Sequence, residues 1–321
     1  MDVNPVYFPY FRGKQFELLA IRESASVIGE SNFVPIIEPV RESLGGLERA
    51  LGALADANAH SVVVLNPRHG DHRSNGASIT ALLEKEHLDR GLVCAGILLT
   101  GDTSLSDAVE LLSSRPEPGT TLIHAGFGDA QQLAQHIGSR MSEIRNVFVD
   151  DQTSLLYRRH FLQSKSLVLV SDGFERMRNA DYQLVDSFSD LHVTYTMRGM
   201  TGYGDFLTVG DHFSEGGGPA YAVAIHLTFV DKSREEEMFI YHFVSDTNDT
   251  PVDPAGKFAQ ALDKLIRCLD QGDSGLIESS AVREFRDLHA RGHFPGLGYV
   301  KKLSINHHLE TLSHFHVSSR V

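Results

Sequence analysis

Tryptophan is absent from this 321-residue chain, and cysteine occurs only twice, as Cys94 and Cys268. Two cysteines so far apart have no metal-ligand spacing, which leaves neither a zinc-finger arrangement nor a disulfide-stapled secreted scaffold. Both read as buried thiols in a reducing cytoplasm. Long apolar runs are missing as well, since none approaches the roughly 20 residues that a membrane-spanning helix needs. The opening MDVNPVYFPYFRGK lacks the basic start and apolar stretch of a secretory signal, so a cytoplasmic protein with no membrane partner is expected. Positive charge is scarce. Lys and Arg number 29 against 42 Asp and Glu, a formal net charge of −13 that argues against broad duplex-DNA binding through phosphate neutralisation. Local basic patches remain around Arg12 and Lys14 and around Lys301 and Lys302.

What is present is a globular composition, 41% apolar and 22% charged, in a length that suits one α/β barrel. Five apolar runs, VPIIE, VVVLN, GILLTGD, NVFVDD and LVLVSD, each end on a polar group. They place Glu38, Asn66, Asp102, Asp150, Asp151 and Asp172 just past the ends of strands. Continuous Val/Ile/Leu runs mark strands covered on both faces, as in parallel sheets wrapped by helices. Ligands of such folds collect at the carboxyl ends of the strands.

Strands are predicted at 6–11, 33–38, 61–66, 92–100, 120–125, 145–150 and 166–172, with helical patterns between them, a spacing that parallel crossovers require. The first run contains Pro9 and reads as irregular or edge-like. The helix after it carries Phe16, Leu19, Ala20 and Val27 on one face, and the next carries Leu44, Leu47, Leu51 and Leu54. Ser104 and Asp107 form a capping-box pattern. After Asp172 a Gly-rich stretch is followed by two strand-like runs joined by the charged turn DKSREEE. Asp253 and Pro254 then make an N-cap and N1 pair ahead of a stripe of Phe258, Leu262, Leu265, Ile266 and Leu269. A further helix from about Ser280 carries Val282, Phe285 and Leu288. The expectation is a single elaborated domain over 1–321. It is a (β/α)8 TIM-barrel-like α/β fold with its barrel over about 1–250, an added β-hairpin, and C-terminal helices over about 251–321.

Glu38, Asp150 and Asp172 are the candidate catalytic acids. Together they could hold Mg²⁺ or another divalent cation, or one could move a proton; the alternative is that each caps a helix or pairs with an arginine. Arg12, Lys14, Asn66 and Arg68 follow strands one and three, and are candidates for gripping an anion, with a surface ion pair to Glu17 as the alternative for the first two. His69, Asp71 and His72 read as a solvated polar loop. In RGMTGYGDF, Gly202, Gly204 and Asp205 form either a strained turn or a loop that approaches a ligand closely. His226 and His242, each in a strand, read as hydrogen-bonded core residues. No nucleophile elbow surrounds Ser171 or Ser245, and His307, His308 and His314 lack the H-E-x-x-H spacing.

Tyr7 and Pro9, then Lys14 and Glu17, then Pro35, Ile36, Ile37 and Glu38 resemble the opening of the Beta-protein family of phage and bacterial proteins, and GYGDF and AIHLTF are similar to the later half of a bacterial branch. The resemblance implies a barrel-like α/β fold, and a bacterial gene set in phage-defence or conflict-associated neighbourhoods beside a nuclease-like partner. It carries over no catalytic residues. The function expected is a cytoplasmic conflict-associated barrel that binds a small anionic ligand, a nucleotide or phosphorylated group, with metal-assisted phosphodiester hydrolysis as its chemistry. The alternative is a non-catalytic scaffold or regulator of the nuclease-like protein.

Overall fold

The structure, a computed structural model, describes residues 4–86, 91–114, 119–216 and 218–318. The chain divides into two compact units, Met1–Ser171 with Thr194–Phe206, and Asp172–Val193 with Leu207–Val321. Among the described residues no helix is long and apolar enough to cross a membrane.

The first unit is a (β/α)8 TIM-barrel-like fold. Its strands are β1 (Tyr10–Phe11), β2 (Ile36–Ile37), β3 (Ser61–Val64), β4 (Val93–Thr100), β5 (Thr121–Ala125), β6 (Arg145–Val149) and β7 (Ser166–Ser171). After β8 (Val185–Ser189), which belongs to the other unit, β9 (Gly202–Asp205) is the eighth barrel strand. Neighbours pair in parallel in the order β1-β2-β3-β4-β5-β6-β7-β9. A bridge between Tyr7 and Tyr203 all but closes the ring: Phe8 N donates to Tyr203 O at 2.8 Å, and Tyr203 N donates to Val6 O at 2.8 Å. The helices between strands are α1 (Gln15–Glu23), α2 (Ala25–Glu30), α3 (Gly45–Asp56), α4 (Ala77–Glu86), α5 (Leu105–Ser113), α6 (Ala130–Ile137) and α7 (Leu155–Arg158).

Alternation along the strands explains the continuous apolar runs. Val62 and Val64, Ile123 and Ala125, Val147 and Val149, and Val168 and Val170 share one buried cluster with Phe8, Tyr10 and Phe206. The residues between them, such as Val63, Leu122, Phe148 and Leu169, are buried as well, so both faces are covered. The Ser104–Asp107 capping box forms as predicted at the start of α5. One helix differs. The segment from Phe16 to Val27 is broken at Ser24, and the buried face runs through Glu17, Leu18, Ala20 and Ile21 in α1, then Ala25 and Ile28 in α2. Phe16, Leu19 and Val27 are only partly covered.

The glycines of β9 are another correction. A Cβ on Gly204 would stand 2.2 Å from Phe8 O, and one on Gly202 would stand 2.8 Å from the Phe8 ring. They lie inside a strand and let it press against the segment ahead of β1; they form no ligand loop. The barrel also ends at Asp205, well before residue 250, because the strands after it pair elsewhere.

In the second unit, β8 joins β10 (Ala224–Asp231) and β11 (Glu237–Val244) in an antiparallel sheet of order β10-β11-β8. The β10–β11 hairpin is the one predicted, and its turn carries Glu235 and Glu236 at positive φ. A short helix, α8 (Leu191–Thr194), follows β8, and α9 (Pro254–Gln271), α10 (Ser280–Arg291) and α11 (Leu297–Ser318) complete the unit. Asp253 caps α9 through its side chain, with Pro254 at the first turn. Phe258, Leu262 and Leu265 from α9, and Val282, Phe285 and Leu288 from α10, pack with Val223, Ile225, Leu227 and Phe243.

Candidate functional site

The strand ends of the barrel carry buried polar groups, Arg12 after β1, Glu38 after β2 and Asp205 at the end of β9. Alternation in the first segment turns Phe8 and Tyr10 into the barrel cluster, and Arg12 continues the series just past β1. Glu38 sits one residue past β2, where its N–H still donates to Phe11 O at 2.8 Å. The loop after β3 turns back at Gly70, whose φ of +73° and close approach to Val40 O leave no room for a Cβ.

Glu38 is fully buried and engaged on both oxygens. Oε2 accepts from Tyr10 OH at 2.9 Å and pairs with Arg12 Nη1, while Oε1 accepts from Arg68 N at 2.8 Å and His69 N at 3.2 Å. Burial alone pushes its pKa up, but the Arg12 guanidinium, the Tyr10 hydroxyl and the loop donors outweigh it and hold the carboxyl below its usual value. Arg12 is itself buried, with Cζ 4.9 Å from the Tyr10 ring centroid and 5.2 Å from that of Phe206. The Tyr10 hydroxyl is pushed well up, first by burial and then by Glu38, so it stays a donor.

Arg68 is partly exposed above this floor. Its Nη1 lies 3.4 Å from Gln152 Oε1, reaching from the end of β3 toward that of β6. Its Nε donates to His69 Nε2 at 3.3 Å, which leaves the neutral imidazole proton on Nδ1. Burial lowers the pKa of His69 to about 4; Glu38 opposes this, and Arg12, Arg68 and Arg73 add to it. The ring is therefore neutral at pH 7.

The other predicted residues are placed differently. Asn66 pairs with the backbone of β4, its Nδ2 donating to Leu98 O at 2.8 Å and its Oδ1 accepting from Leu98 N at 2.9 Å, so it extends the sheet. Asp150 accepts from Arg158 Nη2 at 2.6 Å and Arg198 Nη1 at 3.1 Å. Asp172 belongs to the second unit and clamps a loop there, accepting from Phe174 N at 3.0 Å and Asp211 N at 2.7 Å. Asp205 accepts from Tyr7 OH at 2.8 Å. Lys14 stands at the N-cap of α1, and Glu17 accepts from Arg12 N. His72, expected in solvent, is buried, with Nε2 2.8 Å from Arg41 O.

Glu38, Asp150 and Asp172 thus each answer to separate partners. Among the described residues no group of three or more His, Cys, Asp or Glu side chains is arranged to hold a metal ion. Of the predicted set, Arg12, Glu38 and Arg68 converge. Tyr10, Gln152 and Phe206 complete the mouth without having been singled out, although the two-residue step from Tyr10 to Arg12 was a readable sign.

Fold and site together define a (β/α)8-barrel protein with a charge-compensated, arginine-rich mouth at its strand ends. Compared with known proteins, the chain matches no family model and no curated protein.

Proposed function

We propose that the first unit binds a small anionic ligand, a nucleotide or other phosphorylated molecule, at the strand-end mouth. The observation that carries this reading is that Glu38 is already balanced by Arg12 within the buried floor. The loop that follows carries two arginines, Arg68 and the exposed Arg73, and one aspartate, Asp71, in a protein of net charge −13. A guanidinium pairs with phosphate oxygens through parallel N–H donors, and Arg68 rises beside a neutral His69. The expected metal-assisted hydrolysis loses its support, because Glu38 is committed to four donors and Asp150 to two arginines. The resemblance to the Beta-protein family motivates the setting, a phage-defence or conflict-associated role, as part of the same proposal.

A second reading, a scaffold for a nuclease-like partner, is favoured by Leu155, Leu156 and Leu162. These are 75%, 68% and 64% exposed in and just after α7. Thermal melting with inorganic pyrophosphate and with ADP separates the two readings. Anion binding predicts stabilisation of about 2.7 kcal/mol at a hundredfold excess over Kd. The shift should vanish in Arg68→Ala, which keeps the main-chain bond to Glu38. No shift in the unmodified protein would remove the anion reading in favour of the scaffold.

A further inference from the structure

The second unit carries a chain of titratable groups that no part of the barrel mouth uses. His226 and His242 are directly opposed across the β10–β11 ladder. Asp186 of β8 is registered with Ile240, two residues from His242, so all three side chains stand on one face of the sheet. The two imidazoles meet Nδ1 to Nδ1 at 2.7 Å, and His242 Nε2 lies 3.4 Å from Asp186 Oδ2. That carboxylate oxygen is buried and has no hydrogen bond of its own.

The unbonded carboxylate oxygen faces His242 Nε2 across 3.4 Å, and its negative charge favours the tautomer with the proton on Nε2. His242 Nδ1 is then a lone pair, and the proton between the rings belongs to His226 Nδ1. His226 Nε2 is left as a lone pair. Among the described residues it makes no hydrogen bond, and the His226 side chain is partly exposed. Two fully buried histidines of this protein use both nitrogens: His124 bonds Tyr157 and Asn146, and His307 bonds Ser279 and Thr228.

The surroundings hold the pair in place. The Tyr182 ring stacks on His242 at 4.2 Å and 11°, and Phe174 meets the His226 ring edge-on at 5.0 Å. Phe174 is fastened by Asp172, whose carboxylate accepts from Phe174 N and from Asp211 N within the same unit. Burial first, then His242 and Lys301, hold His226 well below its usual pKa, so it is a free base at neutral pH. Lys301 is exposed, near enough to act on His226 electrostatically, and is the cation available to an anion beside it.

We propose that Asp186, His242 and His226 form a proton relay whose open end, His226 Nε2, is a general base for hydrolysis of phosphodiesters at a second reaction site of this chain. Water oxygen bonds to phosphorus while the bond to the leaving oxygen breaks. The water proton passes to His226 Nε2, and the Nδ1 proton of His226 passes to His242 Nδ1. His242, now cationic, faces Asp186, which offsets part of what burial costs that charge. The leaving oxygen takes a proton from solvent, or departs as an anion when it is a phenolate, and the relay returns its extra proton to solvent. Lys301 offsets the charge of the phosphate.

Two measurements on the full chain test this. Labelling with diethyl pyrocarbonate, mapped by mass spectrometry, should modify His226 at least about tenfold faster than His124 or His307, and Asp186→Asn should slow that labelling. Hydrolysis of bis(p-nitrophenyl) phosphate should fall about a hundredfold in His226→Gln, the low end of general-base contributions, and less in Asp186→Asn. Should His226→Gln fail to fold, labelling of the unmodified protein and the Asp186→Asn rates decide the matter. Labelling of His226 no faster than that of His124 would overturn the relay. Fast labelling without phosphodiester turnover, or turnover indifferent to His226 and Asp186, would overturn the catalytic role.

Discussion

Replacing His124 by glutamine should flatten the dependence of stability on pH between about 4 and 6.5. His124 is fully buried in β5, between Phe148, 4.9 Å away and stacked, and Phe161 at 4.5 Å. Asn146 donates its amide protons to Ser164 Oγ and Met141 Sδ, so its Oδ1 accepts from His124 Nε2 at 2.7 Å. His124 Nδ1 accepts from Tyr157 OH at 2.6 Å. The neutral ring is therefore satisfied at both nitrogens. A second proton would sit against the Tyr157 hydroxyl in a site with no counter-charge, and burial lowers the pKa from 6.5 to about 4 despite the Asn146 bond. Above pH 6.5 the ring is neutral in both folded and unfolded chains, and the contribution to stability is complete. As pH falls below 6.5 the unfolded chain takes up a proton that the folded chain refuses, so stability is lost until about pH 4. A gap of about 2.5 units corresponds to about 3 kcal/mol, with a slope near 1.4 kcal/mol per pH unit at its steepest. Glutamine retains a donor toward Asn146 and cannot titrate. His124→Gln should thus be less stable than the unmodified protein at pH 7.5 and recover most of that deficit by pH 4.5. Urea unfolding followed by circular dichroism at steps of pH gives both curves, and their difference isolates His124 from His69, His242 and His307, which share the window. Parallel curves, or an NMR titration of folded His124 near 6.5, would refute the argument.

Glu38→Gln should lower stability by about 3–5 kcal/mol, because it leaves the buried Arg12 guanidinium without its counter-ion; unchanged thermal melting would show that Glu38 is free for chemistry instead. Gly204→Ala should cost about 3 kcal/mol, the upper end for overpacking, since its Cβ would meet Phe8 O at 2.2 Å and force β9 off the segment before β1. Its urea midpoint, with amide exchange at Tyr203, reads that opening, and a midpoint equal to that of the unmodified protein would refute it.

The barrel was legible because burial on both faces writes itself as Val-Val-Val in β3 or Leu-Val-Leu-Val in β7. The limits of the barrel were not, because the excursion after Asp172 returns through Gly202 and Gly204. Glycines inside a strand look like a turn until the backbone they must press against is known. At the mouth, Glu38 was found through its place after a strand, and of the roles open to it the pairing with an arginine is the one seen. A lone acid after a strand looks the same whether it awaits a ligand or is already enclosed by Tyr10, Arg12 and the loop N–H groups. Asn66 illustrates the same ambiguity, since a side-chain amide can pair with a strand as a peptide does. The histidine pair was visible as two strand residues, but their opposition depends on hairpin register, which the charged turn leaves open.

The order of the segments along the chain has a consequence for how this protein is made. The barrel strands up to Ser171 leave the ribosome first, yet their last member, Gly202–Asp205, follows a detour through residues 172–193 that belongs to the other unit. Strand β8 within that detour must wait for its partner, Glu237–Val244, while β9 is already free to complete the ring. No single cut separates the units cleanly. A fragment ending at residue 206 would carry Val185–Ser189 as an unpaired edge, and one beginning at 207 would lack both that strand and the Asp186 carboxylate it brings to His242.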